Sequence, residues 1–207
     1  SRGLRSITLV TTKLDLGGAE VQAVRIGSGL VRRGRRVRII SLLPHRAFDQ
    51  ELTAAGIPLV DLGLEGLSTL PAAAHRLYRE LRRNRPDALI AFNYHANVLC
   101  KVVGRLAGVH AVVPSIRNEQ FGGRLRERVE SMTAFLAPIT TTNSEFVGES
   151  LVRRGTVPRR KLRVVLNAAP DPDGPLAVRR RDARRGGRGC GARGGLWGGV
   201  GRGGGGA

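Results

Sequence analysis

Cysteine is almost missing from this 207-residue chain. Cys100 and Cys190 stand far apart, and no Cys-x-x-Cys pair occurs. A disulfide framework and a thiolate metal or redox site are therefore not expected. The four histidines, His45, His75, His95 and His110, show no metal-ligand spacing, so neither a metal nor another cofactor is expected. Lysine is scarce too: Lys13, Lys101 and Lys161 are the only three among 35 cationic residues. Arginine thus carries the formal charge of +19. GC-rich coding DNA yields that bias as readily as a polyanion-binding surface does. No apolar run approaches the ~18 residues that span a bilayer, and no secretory leader is recognisable. The expected location is the cytoplasm, with the inner face of the membrane as a peripheral option. Gly-Lys-Ser/Thr is absent, which excludes a P-loop. The dinucleotide fingerprint fails as well. The first glycine turn lacks the G-x-G-x-x-G spacing, and the second strand ends in Ser41-Leu42-Leu43 with no carboxylate.

What is present is organised around Leu16-Gly17-Gly18-Ala19-Glu20. Before it, Ile7 to Thr12 is a β-branched run that predicts a buried strand. After it, Ala23, Val24, Gly27, Leu30 and Val31 fall on one helical face. Paired glycines let the backbone turn sharply and approach a ligand closely. The N–H groups of the helix that follows favour an anion. A plain βα turn without a ligand fits the same spacing.

The rest of the chain continues the alternation. Strands are predicted at 37–43, 58–62, 88–92, 109–116, 139–142 and 162–166. Between them come a helix at 48–55, one marked by Leu70, Ala74, Leu77 and Leu81, and one with the stripe Leu99, Val102, Val103 and Leu106. Leu125, Val129, Met132 and Leu136 mark a further helix, and Ser144 is the expected N-cap of the helix reaching Arg154. Gly34 is the expected end of the first helix. Such alternation implies a Rossmann-like parallel sheet with helices on both faces, whose ligands bind beyond the carboxyl ends of the strands. Three polar clusters fall at such ends: 13–18, 93–97 and 117–119.

Past Pro170 the periodicity stops. Residues 1–170 are expected to form the domain, and 171–207 an Arg/Gly-rich tail. Glycine fills 13 of the last 22 positions, too little apolar surface to offset ordering entropy. Out-of-frame translation of GC-rich DNA would produce this composition.

These residues resemble family 4 retaining glycosyltransferases of the GT-B fold. The resemblance rests on Leu16 to Glu20, on Leu30-Val31-Arg32-Arg33-Gly34, and on Asn97-Val98-Leu99 with Gly104 to Val109. Thr142-Asn143-Ser144-Glu145 and Lys161 to Asn167 complete it. It covers roughly residues 5–170 and implies the N-terminal, acceptor-binding half of a two-domain enzyme. Such an enzyme transfers a sugar from a nucleotide-diphosphate sugar to a glycan or lipid-linked acceptor. The donor site would lie mostly in a second domain, so turnover by this chain alone is not expected.

Carried over by position, Gly17 and Gly18 would lie near the sugar diphosphate and the acceptor. Arg117 would stabilise charge on the departing phosphate, with His95 as the other catalytic candidate. Asn93, Asn118 and Glu119 would bind substrate. The Arg-bearing helix from Leu70 to Leu81 offers a peripheral membrane contact. A rival function is nucleic-acid binding through the Arg-Gly tail. Trp197 is that tail's one aromatic residue, which supplies little stacking, so nucleic acid is not the expected partner. A third possibility is a single α/β domain that holds a small anionic ligand at Gly17-Gly18.

Overall fold

The computed structural model describes residues 3–15, 17–44, 47–117 and 122–167. Asn118, Glu119 and the tail lie outside these residues. The sheet has seven parallel strands in the order β3-β2-β1-β4-β5-β6-β7. They are β1 (Ser6–Thr11), β2 (Arg36–Ser41), β3 (Leu59–Asp61), β4 (Ala88–Phe92), β5 (Ala111–Ile116), β6 (Thr140–Thr142) and β7 (Leu162–Val164). Among the described residues six α-helices alternate with them: α1 (Gly18–Arg32), α2 (Asp49–Ala54), α3 (Leu70–Asn84), α4 (Tyr94–Leu106), α5 (Arg124–Thr133) and α6 (Glu145–Arg153). The chain is thus the Rossmann-like α/β fold that its alternation implied.

Side-chain alternation on β1 divides the helices between two faces. Val10, Ile40, Leu89 and Val112 pack with Leu77 and Leu81 of α3 and with Cys100 and Val103 of α4. Leu9 and Ile39 point the other way, toward α1. A Cβ at Gly27 would lie 3.4 Å from Leu9 Cδ1 and 3.6 Å from Ile39 Cδ1. The glycine therefore lets α1 lie close on the sheet. On the opposite face Gly104 does the same for α4: a Cβ there would lie 2.8 Å from Leu89 Cδ2.

Strand β1 pairs with both β2 and β4. The chain winds outward from β1 to β3, then crosses back to β4 and runs to the other edge. Right-handed crossovers place α1 and α4 on opposite faces of such a sheet. Their N-termini flank the carboxyl ends of β1 and β4, the switch point of the topology, where sheets of this class form their ligand crevice.

Two helix stripes differ from expectation. On α4 the buried residues are Ala96, Asn97, Cys100, Lys101, Val103 and Gly104, whereas Val102 and Leu106 face outward. On α5 Leu125 and Met132 are 75% and 73% exposed, and Glu130 is the buried residue. A helical period defines a stripe but does not say which way it faces. Here a buried charge pair turns α5, with Lys101 Nζ 2.7 Å from Glu130 Oε1. Ser144 stands at the N-cap of α6, but its hydroxyl makes no capping bond. The helix starts on the Ser144 carbonyl, which accepts from Gly148 N at 3.0 Å. Gly34 closes α1 as expected, with φ 73° and its N–H donated to the Val31 carbonyl at 2.8 Å.

Candidate functional site

Each wall of the crevice begins with a turn. Gly17 is the N-cap of α1 and Gly18 its first residue. The Gly17 N–H is donated to the Asp15 carbonyl at 2.7 Å, which tightens the turn. Glu20, three residues past the cap, is buried to 4% exposure. Its carboxylate curls back over the turn into the space that a Cβ at position 17 would fill.

Asn93 closes β4 and stands at the N-cap of α4. Its backbone adopts φ 71° and ψ 157°, a region left almost entirely to glycine and worth roughly 1–3 kcal/mol of strain. Its side chain does not cap α4. Asn93 Nδ2 instead donates to Glu20 Oε1 at 3.0 Å, across the switch point. Strain held in place by a buried partner is a mark of functional positions.

Arg117 follows β5. Its guanidinium lies over the Phe92 ring at 5.1 Å and donates to Asn167 Oδ1 at 2.9 Å. Burial pulls its pKa below the usual arginine value, and the Glu20 carboxylate pulls it back. Arginine stays charged under both influences. Asn97 fixes the strand that carries it: Nδ2 donates to the Ser115 carbonyl and Oδ1 accepts from Ser115 N, each at 3.2 Å.

His95 is one residue into α4, with its ring edge-on to Tyr94 at 5.3 Å between centroids. Desolvation and the nearby Arg126 guanidinium hold its pKa below the ordinary histidine value. At neutral pH it is an uncharged donor and acceptor. Glu20 thus joins the turn at Gly17 to Asn93, Arg117 rests on Phe92 and Asn167, and the interactions of His95 run to Tyr94 and Arg126.

Thr11 and Thr142 end β1 and β6, and Thr12 and Asn143 follow them. Their side-chain oxygens are buried without a hydrogen-bond partner, as is Arg117 Nε. Buried polar atoms are normally satisfied. A row of unsatisfied ones along one sheet edge marks where a polar ligand would bring partners. A cleft of about 980 Å³ opens at the opposite edge, lined by Arg5, Arg82, Arg85, Asp87 and His110 among others. The C-termini of α3 and α4 end there, and Asp87 is already bonded to the N–H groups of Arg5 and Ser6. The switch point and the unpartnered polar atoms both lie at the carboxyl edge, which makes that edge the candidate site.

Glu20 was in view in the sequence, inside the glycine turn, but no local pattern showed that it reaches a residue 73 positions away. Phe92 reads as an ordinary strand residue. Its role as a platform for Arg117 depends on the pairing of β4 with β5.

A seven-stranded parallel sheet whose strand order reverses between β1 and β4 is the doubly wound, Rossmann-like class of α/β domain. The family model for Glycosyltransferase Family 4 matches residues 16–170, and the chain belongs to that family. None of the curated proteins matches it. Among solved structures, Anabaena HepE in complex with UDP and glucose is 15% identical, with a TM-score of 0.68, covering 88% of this chain and 50% of its own. A glycosyltransferase from Rickettsia africae is 11% identical at a TM-score of 0.66, covering 88% of this chain and 50% of its own. A Methanocaldococcus jannaschii UDP-GlcNAc 2-epimerase in complex with UDP-GlcNAc and UDP is 14% identical at 0.60, covering 78% and 46%. The chain thus spans about half the length of these structures. At such identities the likeness shows the GT-B type of fold.

Proposed function

We propose that this chain is the acceptor-binding half of a retaining glycosyltransferase. The enzyme would move a sugar from a nucleotide-diphosphate sugar to a glycan or lipid-linked acceptor. The observation that carries this reading is the Glu20–Asn93 bond across the switch point of a family 4 domain, with the Arg117 guanidinium over Phe92 at the end of β4. The departing diphosphate needs fixed positive charge that does not depend on pH, and Arg117 supplies it. Neutral His95 would hydrogen-bond sugar hydroxyls at the mouth of the crevice. Asn93, Asn118 and Glu119 would complete the acceptor contacts. Domain 1–170 would bind the acceptor, and a second domain would carry most of the donor site, so this chain alone would not turn over. The UDP held by HepE supports the donor class.

Chemical-shift mapping with a panel of oligosaccharides and UDP-sugars tests this. Acceptor glycans should move the amides of Gly18, Asn93 and Ser115. Ligand shifts confined to the amino edge of the sheet would overturn it. Interconversion of UDP-GlcNAc with its 2-epimer would instead place the chain with the epimerases of the same fold.

A peripheral contact with the inner face of the membrane belongs to the same reading. No helix among the described residues is long and apolar enough to cross a bilayer. Leu125, Met132 and Phe135 nevertheless face outward beside Arg124 and Arg128. The two carboxylates of α5 turn inward, Glu127 toward Thr156 and Glu130 toward Lys101. The outward surface is therefore apolar and cationic, which suits anionic lipid. Sedimentation with phosphatidylglycerol vesicles, but not with phosphatidylcholine vesicles, is the expected result, and the L125E/M132E variant should lose it. Equal binding to both vesicles, or to neither, removes the membrane contact.

A further inference from the structure

The cleft of about 980 Å³ at the amino edge of the sheet is lined by Arg5, just ahead of β1, and by Arg82 and Arg85 at the end of α3. Among the described residues no carboxylate lies within ion-pair distance of these three arginines. Asp87 stands in the cleft, but its Oδ2 accepts the N–H groups of Arg5 and Ser6, both at 2.8 Å. Cations at a helix C-terminus are ordinary, because the macrodipole leaves about half a negative charge there. The ends of α3 and α4 together with Asp87 therefore supply about two negative charges. Arg36 also acts on Asp87, and Arg83 and Arg105 stand in the last turns of α3 and α4. Positive charge is thus left over at the cleft. Arg85 closes α3 with φ 42° and ψ 63°, a left-handed conformation usually given to glycine. It also precedes Pro86, and a residue before proline is pushed toward extended backbone. Glycine would close the helix at lower cost. The arginine costs backbone energy and adds charge to the cleft, and strain of that kind gathers at ligand sites.

We propose that this cleft is a second ligand site, built for an oligophosphate, either free or carried as the tail of a nucleotide. A guanidinium fork takes two oxygens of a phosphate at once and stays charged at any pH the fold survives. A cleft of this size admits a small molecule. A single carboxylate would leave most of the charge surplus in place, whereas a chain of phosphates brings several negative charges in one small ligand. The site shares no residue with the transferase reading above and stands or falls apart from it.

Heteronuclear NMR titration of the full chain with tripolyphosphate and with ATP tests this. The amides of Leu4, Asp87, Gly108, Val109 and His110 report on the cleft separately from arginines elsewhere in the chain. Tripolyphosphate should move them, and R82Q/R85G should weaken that binding about tenfold or more. R25Q/R153Q removes the same charge from α1 and α6, outside the cleft, and should keep the affinity within about twofold. R85G alone separates binding from folding. It should melt no lower than the wild type, because glycine suits the backbone at 85, yet bind tripolyphosphate several-fold more weakly. ATP that binds the cleft more tightly than tripolyphosphate supports the site with a nucleotide as its source; ATP that binds no more tightly supports it with the phosphate chain alone as the ligand. Cleft amides unmoved by both probes would overturn the proposal, as would probe shifts confined to Gly18 and Asn93. Equal weakening by the two double variants, or an R85G that binds as the wild type does, would also overturn it.

Discussion

Lys101 Nζ lies 2.7 Å from Glu130 Oε1, and both side chains are sealed from solvent, at 0% and 1% exposure. The ammonium also donates to the Glu130 backbone carbonyl at 3.3 Å. Glu130 Oε2 has no partner. This pair fastens α5 to α4 where apolar packing would ordinarily do so.

Removing one member leaves a buried charge uncompensated. K101M or E130L should each cost about 3–5 kcal/mol. The double variant K101M/E130L should recover most of that loss, because it removes both desolvation penalties. Urea unfolding of the four proteins measures the cycle. A double variant as unstable as either single one would show that the pair does more than balance charge.

Glycine-to-alanine changes should have opposite signs at two helix positions. At Gly104 the new Cβ would press on Leu89 and Val112, so overpacking of about 1–3 kcal/mol should exceed the gain in helix propensity. At Gly29 of α1 the nearest atom to a Cβ is an Arg32 guanidinium nitrogen 3.9 Å away. G29A should stabilise the fold by up to about 1 kcal/mol. Thermal unfolding of the two variants reads the sign directly.

Acid should weaken the start of the sheet. The Asp87 carboxylate accepts the N–H groups of Arg5 and Ser6, both at 2.8 Å. Those bonds lower its pKa below the usual 3.8. A depressed carboxylate contributes stability above its unfolded pKa and loses it as pH falls through the folded value. D87N should therefore flatten the stability profile below about pH 4. An unchanged acid limb in D87N would assign the loss to other groups.

His95 carries the same sign from the opposite charge type. Its folded pKa lies below 6.5, through desolvation first and Arg126 second. The unfolded chain then binds the proton more readily, so stability falls as pH drops from about 6.5 toward the folded value. The ring resonances of His95 should titrate below those of a model peptide. R126Q should raise the midpoint, and a midpoint unmoved by R126Q would leave desolvation as the whole cause.

Much of the architecture was legible before any coordinates. Apolar runs 20–40 residues apart, each followed by a turn and an amphipathic stretch, leave a parallel sheet as the economical solution. The polar clusters at 13–18, 93–97 and 117–119 were placed at strand ends by the same logic. The structure puts the described members of all three on the carboxyl edge. Helix orientation was less legible. Leu125, Val129, Met132 and Leu136 obey a helical period, and a buried face was the natural inference. The structure turns Leu125 and Met132 outward, because a carboxylate at 130 finds an ammonium 29 residues earlier. Periodicity contains no term for a partner that distant.

Local sequence determined the strands, the glycine turn and the family, because these depend on residues near one another in the chain and on their order. The arrangement of the candidate site was decided by tertiary structure. Glu20, Asn93 and Arg117 belong to three separate βα units. Glu20 reaches Asn93, and Arg117 reaches Phe92, because β1, β4 and β5 become neighbours only when the sheet winds back past its starting strand. Buried charge and strained backbone persist there because the assembled sheet holds their partners within hydrogen-bonding reach.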